Sequence, residues 1–375
     1  MVEQSLLELA RQCCDAGNYL DLGRMCAMDG VCWHTYRPGG TIYWFSIPYR
    51  FGWEPGALIL MNIAAMLVSV LLSSFALQTF NAGNSPKFRT GQWLLLLAIS
   101  WVLHTVLFLP ILFNSLIDGP AAAAVLSGIW LFLLGKKNQS GLLLALAGLF
   151  LGLGVWMRAF YLYPLLITMG CYLLCWVIDK QKSWRELLLL TTFLPIFFQF
   201  YSTHQQKGDW SFLDKGDTSM WTSGHLRNNF KSYDTILSKN FAYEIAYCGK
   251  KYTSVQQTLD NRNVLGLLCF MGERTHFYLG SYAPKTYLMN RHERVYSITF
   301  LLVNVLAIIL ALSLLIKASA LCAKTRWFLF VFVALNYGQS LVIVPEQRFV
   351  LFPMLMWLLL AVTFLLKKPA HDSQS

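Results

Sequence analysis

Charge is scarce in this chain: Asp, Glu, Lys and Arg make up 13% of 375 residues, where a soluble domain carries about a quarter. With 56% of the residues hydrophobic, that scarcity excludes a soluble globular enzyme and points to a polytopic membrane protein. Other features are missing too. No two histidines have the spacing that puts both imidazoles on one helix face, and the nine cysteines follow no zinc-ribbon pattern. No internal repeat is evident, and no N-terminal segment joins a basic start to an apolar core as a secretory signal does. The first fourteen residues, with Glu3, Glu8 and Arg11 among the leucines, are too short and too charged to cross a bilayer. They read as an amphipathic helix at the membrane surface.

What is plentiful is apolar sequence in long runs. Nine occur: Leu58 to Phe80, Trp93 to Asn114, Pro120 to Leu134, Gly141 to Trp156, Tyr161 to Ile178, Leu187 to Phe200, Val295 to Ile316, Trp327 to Val344 and Phe349 to Leu366. A perpendicular span takes about 20 residues, so the ends of the shorter runs are loosely set. Short loops rich in Lys and Arg are retained in the cytoplasm. Alternate loops carry Lys87 and Arg89; Lys136 and Lys137; Lys180, Lys182 and Arg185; Lys317, Lys324 and Arg326; and the tail holds Lys367 and Lys368. The other short loops hold only Arg158 and Arg348.

Threading nine spans through this pattern gives an all-α polytopic membrane protein with two outer-face regions. Residues 1–57 lie outside, 58–201 form the first six spans, 202–294 are a larger outer segment, 295–368 form three more spans, and 369–375 are a cytoplasmic tail. Without an export signal, the first span is expected to insert with its N-terminus outward or to follow a further helix upstream. The net charge of +11 does not argue for nucleic acid, because twelve of the thirty cations are these topological markers. The outer segment still has twelve Lys and Arg against eight Asp and Glu, which suits a lipid phosphate or an anionic membrane surface. Six cysteines fall outside, namely Cys13, Cys14, Cys26, Cys32, Cys248 and Cys269. There, disulfides and buried free thiols are both open.

Polar residues gather on the outer side. The stretch from Asp15 to Trp53 precedes the first span, and on a helix Asp15 and Tyr19 share a face. Arg24, Asp21 and Asp29 follow. Arg37-Pro38-Gly39-Gly40 is expected to break regular structure, and the aromatics from Tyr43 to Trp53 suit either the membrane interface or stacking on a sugar. Asp118, in a tight turn before Pro120, reads as a solvated or helix-capping acid or as a cavity residue. Arg158 ends a helix whose Gly148, Gly152 and Gly154 permit close packing; it either snorkels or binds phosphate. Glu346 and Arg348 either pair in the headgroup layer or leave the guanidinium to grip a phosphate.

Assembled, these residues resemble the GT-C superfamily of lipid-phosphate-sugar-dependent glycosyltransferases, in the branch of the lipid A aminoarabinose transferase and the protein O-mannosyltransferases. The matching elements are Asp15 four before Tyr19, Arg24-Met25, Arg37-Pro38-Gly39 followed by aromatics, the Gly148 to Arg158 helix end, and Arg348-Phe349 with Pro353. The resemblance spans Asp15 to about Leu366. It implies a polyprenyl-phosphate sugar donor, a glycan, lipid or protein acceptor at the outer leaflet, and an outer catalytic loop. It implies Asp15 as general base with Asp21 and Asp29 as fallbacks, Arg37, Arg158 and Arg348 on the donor phosphate, and inversion at the sugar. It requires no particular cofactor and is compatible with a divalent metal. Compact size and short loops favour a bacterial inner membrane. Two alternatives stand beside it: a flippase for lipid-linked sugars, and a shortened inactive relative serving as a binding or assembly subunit.

Overall fold

The computed structural model describes residues 16–34, 37–81, 90–113, 117–179, 183–212, 298–317, 322–342 and 350–366, with single positions at 268, 271, 272, 275 and 279. Among these the chain is helical, with no strand and one isolated bridge. The helices are α1 (Ala16–Asp29), α2 (Gly39–Arg50), α3 (Ala57–Asn81), α4 (Thr90–Phe113), α5 (Asp118–Asn138), α6 (Gly141–Met157), α7 (Leu162–Ile178), α8 (Phe193–Lys207), α9 (Ile298–Lys317), α10 (Ala323–Val342) and α11 (Leu351–Leu366). Each of the nine apolar runs overlaps helical backbone. Four stretches are long and apolar enough to cross a membrane: Ala57–Gln78, Asp118–Asn138, Ala159–Ile178 and Trp184–Lys207.

Helix α5 is the centre. Within its apolar window 89% of the residues are buried, against 33–44% for the other three stretches. It packs on α3, α4, α6 and α11. Its sequence fits that place: Ala121, Ala122, Ala123 and Ala124 let neighbours approach at one end, while Ile129, Trp130, Phe132 and Leu133 fill space at the other. Phe132 meets Phe328 of α10 at 4.7 Å and the edge of Tyr172 of α7 at 5.6 Å. Lipid is as apolar as these side chains, so such packing and interhelical hydrogen bonds hold the bundle together.

The run beginning at Leu187 is irregular. Trp184–Thr192 is a 3-10 helix, and α8 continues from it. Gly148 and Gly152 of α6 explain how it fits, because a methyl group on either would strike backbone atoms of Leu189 or Thr192. The Thr191 hydroxyl donates to the Ala145 carbonyl at 2.6 Å, adding a hydrogen bond across the contact. The close packing expected of this glycine-rich helix is therefore with the 3-10 helix at Gly148 and Gly152 and with Ala121 and Val125 of α5 at Gly154.

Charges are paired at both ends of α5. Asp118 lies in its first turn and Lys136 in its last, where each favours the helix dipole. Eighteen residues separate them, or about 27 Å at the α-helical rise, close to the hydrocarbon thickness of a bilayer. Around Lys136, Glu186 accepts from Lys136 at 2.5 Å, from Lys324 at 2.9 Å and from the Tyr172 hydroxyl at 2.7 Å. Lys324 also reaches Asp179 at 3.0 Å. Two cations and two anions thereby fasten the ends of α5, α7, the 3-10 helix and α10. Nearby, Arg185 donates to the Gln139 carbonyl at 2.6 Å, and Arg326 caps α9 through the Ile316 carbonyl at 2.6 Å. Among the described residues, Lys136, Arg185, Lys324 and Arg326, from three of the basic loops that alternate in sequence, meet at one end of the bundle.

A second buried polar group joins α3 to α4. His104 is fully buried; its Nδ1 lies 2.7 Å from the Ser100 carbonyl, an acceptor only, so that nitrogen carries the proton. Its Nε2 then accepts from the Ser69 hydroxyl at 3.0 Å, and Ser73 and Ser100 close the group.

Glu186→Ala leaves Lys136 and Lys324 without their shared carboxylate, and stripping one partner from a buried ion cluster costs about 3–5 kcal/mol. Thermal unfolding in detergent should show a loss of that order. A loss under about 1 kcal/mol contradicts the clasp.

Candidate functional site

The stretch from Asp15 to Trp53 is largely helical among its described residues, with α1 and α2 joined by residues 30–38. Gly30, at φ +72°, ends α1 in the left-handed region that glycine tolerates. A disulfide between Cys26 and Cys32 then ties the last turn of α1 to the linker. This resolves one open pairing; Cys171, Cys175 and Cys322 are free thiols. His34 and Arg37 bridge across a tight turn. Partial burial, and then the Arg37 charge beside it, hold the His34 imidazole below its ordinary pKa.

The expectation that Arg37-Pro38-Gly39-Gly40 breaks regular structure holds for Arg37 and Pro38, which lie in the non-helical linker, and fails for the two glycines. Pro38 is the extended residue before the helix, and Gly39 and Gly40 form the first turn of α2. Proline at a helix start loses no needed donor. Glycine is required here for proximity: a Cβ on Gly40 would lie 2.5 Å from the Trp156 carbonyl oxygen. The Thr41 hydroxyl donates to the Met157 carbonyl at 2.5 Å, and Tyr43 and Phe198 pack on Trp156 at 5.4 and 5.5 Å. The start of α2 is thereby fixed against the end of α6, one residue from Arg158.

Gln199 of α8 completes this junction. Its Oε1 accepts from the Gly39 N–H at 2.7 Å, and its Nε2 donates to the Phe212 carbonyl at 2.9 Å. Phe212 lies within the 202–294 segment, where the described residues next resume at 268. Neither Gln199 nor Thr41 was legible beforehand; the only signal was an amide and a hydroxyl beside apolar stretches, which carries no address.

Asp118 is buried rather than solvated, with 3% of its surface exposed, and it does not cap the helix; Ile117 holds that position. It pairs with Arg158, whose Nε lies 3.0 Å from Oδ1. Arg158 sits in extended conformation where α6 ends, and a short 3-10 turn, Ala159–Tyr161, leads into α7. Gln339 of α10 secures that turn by donating to the Phe160 carbonyl at 2.8 Å. Because Asp118 offsets its charge, Arg158 alone supplies little net attraction for an anion.

The remaining site residues divide clearly. Tyr19 is buried beneath Arg37, whose guanidinium lies 4.9 Å from the ring centre, and it packs on Phe45 at 5.1 Å. Asp21, Arg24 and Asp29 are exposed on α1. Asp15, Glu346 and Arg348 lie outside the described residues. Arg37 and Arg158 are thus on segments packed together, with Asp118 beside the second. Phe51 and Trp53 stack at 5.1 Å and are exposed beyond α2, and His204 stacks on exposed Trp210 at 4.4 Å. No three His, Cys, Asp or Glu side chains among the described residues are grouped to hold a metal ion.

The double change Asp118→Asn with Arg158→Met should restore much of the stability lost by either change alone, each of which removes one charge of a buried pair at a cost of up to about 3 kcal/mol. Detergent unfolding of the three variants measures this; simply additive losses contradict a direct pair.

Searches against protein-family models, curated proteins and solved structures find no match to this chain.

Proposed function

We propose that this protein is an integral membrane glycosyltransferase of the GT-C type, moving a sugar from a polyprenyl-phosphate donor to a glycan, lipid or protein acceptor. In this reading nine spans cross a bacterial inner membrane, and transfer occurs on the periplasmic face. The observation that carries it is the junction of α2 with α6. There Arg37 and Arg158, both resembling the family's donor-side arginines, are held on contacting segments at the end of the bundle opposite the lysine clasp. The disulfide at this end and the free thiols Cys175 and Cys322 toward the other fit an oxidising outside and a reducing inside.

The chemistry asks little of the protein. Asp15 takes the acceptor proton as the nucleophile attacks the anomeric carbon. The lipid phosphate leaves from the opposite face, so the configuration inverts. Arg37 and Arg348 supply the net positive charge for that leaving group, while Asp118 holds Arg158 in position. A divalent ion is compatible with this scheme and is not required by it.

The flippase alternative has one observation in its favour, the buried His104 between α3 and α4, since ionisable groups inside a membrane often mark a transport path. Its partners are all serine hydroxyls and a carbonyl. That is the pattern of an interhelical clasp, and the transferase reading is preferred.

Asp15→Asn should abolish transfer from a radiolabelled lipid-linked donor with membrane insertion unchanged, and Arg348→Ala should weaken donor binding. Near-normal transfer by the first variant removes Asp15 from the base role. Absence of transfer by the wild type across donors, with donor binding retained, favours the binding subunit.

A further inference from the structure

The Cys26–Cys32 disulfide has a charged neighbour that structural packing alone does not require. Arg50, in the last turn of α2, crosses back over the hairpin, and its Nη2 lies 3.4 Å from the sulfur of Cys26 and 3.4 Å from that of Cys32. The same nitrogen donates to the Cys26 carbonyl at 3.3 Å, and Nε donates to the Ser46 hydroxyl at 3.1 Å. The guanidinium also lies 5.6 Å from the centre of the Tyr43 ring. It is therefore held in place from several sides, with one corner against both sulfurs.

A disulfide is uncharged, but the thiolates released on reduction are anions. A cation in contact with them lowers their pKa and stabilises the reduced form, which makes the bond easier to reduce. One term opposes this. Cys26 lies in the last turn of α1, where the helix dipole presents about half a negative charge. Arg50 brings a full positive charge in contact with both sulfurs, so the guanidinium prevails. Asp29, Arg24 and Lys207, which lies 4.7 Å from the centre of the Trp33 ring beside Cys32, are exposed and screened by solvent, and the His34 imidazole is held below its ordinary pKa.

We propose that Cys26–Cys32 is a thiol–disulfide exchange site, opened by a dithiol reductant and poised by Arg50. The reductant's thiolate attacks Cys32, the less buried residue of the two at 8% exposed against 1% for Cys26, and next to exposed Val31. A mixed disulfide forms at Cys32, and Cys26 leaves with the bonding electrons as a thiolate against Arg50. The reductant's second thiol, once deprotonated, attacks its own sulfur in the mixed disulfide and releases Cys32. The protein gains two electrons and two protons, and the dithiol becomes a disulfide. Opening the bond frees residues 30–38 from α1 and so loosens the His34–Arg37 turn. The site stands independently of sugar transfer.

The test is a redox titration of the full-length chain in detergent with reduced and oxidised dithiothreitol, followed by alkylation and peptide mapping of Cys26 and Cys32. Arg50→Gln should need about a tenfold higher ratio of reduced to oxidised reagent for half-reduction, equivalent to about 30 mV for this two-electron couple. Arg50→Lys, which keeps the charge, should stay near the wild type. Equal midpoints for wild type and Arg50→Gln overturn the proposal. If Arg50→Gln does not fold, the alkylation rate of Cys26 and Cys32 against pH in the reduced wild type decides. Reaction at a pH well below the ordinary thiol value of about 8.5 supports the site, and reaction only at that value overturns it.

Discussion

A helix this deeply packed cannot leave a charge that faces the bundle unpaired, and α5 carries one near each end, while the neighbouring Lys137 is exposed. Asp118 is buried and Lys136 half-buried, and each finds a partner from another segment. Asp118 takes Arg158 at the turn between α6 and α7; Lys136 takes Glu186, which recruits Lys324 and Tyr172. These two requirements fix where α6 ends, where the 3-10 helix begins and where α10 starts. The apolar packing between them is extensive but tolerant, whereas the two ion clusters set register. The fold is best described as a central helix pinned at both ends, with the remaining helices leaning on it.

That arrangement explains what the sequence could and could not reveal. The apolar runs announce helices because nothing else satisfies so many backbone groups away from water, and helical backbone lies under every one of them. The lysine-rich loops announce their common end because charge placement is local information. The pairing of Asp118 with Arg158 was not legible: forty residues separate them, and a lone acid before a proline resembles any capped turn. Glu186 and Asp179 left a fainter sign, as isolated acids among the basic loops. The proline-glycine-glycine element both closes the linker and begins a helix, for a physical reason. The same residues that break a helix interior are well suited to begin one, and Gly40 is needed because the Trp156 backbone occupies the space of a side chain.

The hairpin of α1 and α2 depends on this framework. Arg37 is placed by Tyr19 beneath it and by Gln199, Thr41 and Trp156, which fasten α2 to α6 and α8. Gln199 uses both ends of its amide on this junction and on Phe212, so the hairpin and the early part of the 202–294 segment share one anchor. The disulfide and Arg50 govern the other side of the same hairpin. A change at either edge reaches Arg37 through few bonds, which is the economy a site assembled from short helices allows.

The central claim is that the two pinned ends of α5 lie on opposite faces of a membrane. Intact cells producing a Trp53→Cys variant, treated with a membrane-impermeant maleimide and analysed by peptide mapping, test it most directly. The account predicts that position 53 is labelled in intact cells and that Cys322, beside the lysine clasp, is labelled only after permeabilisation. Labelling of both positions in intact cells, or of neither, would contradict it.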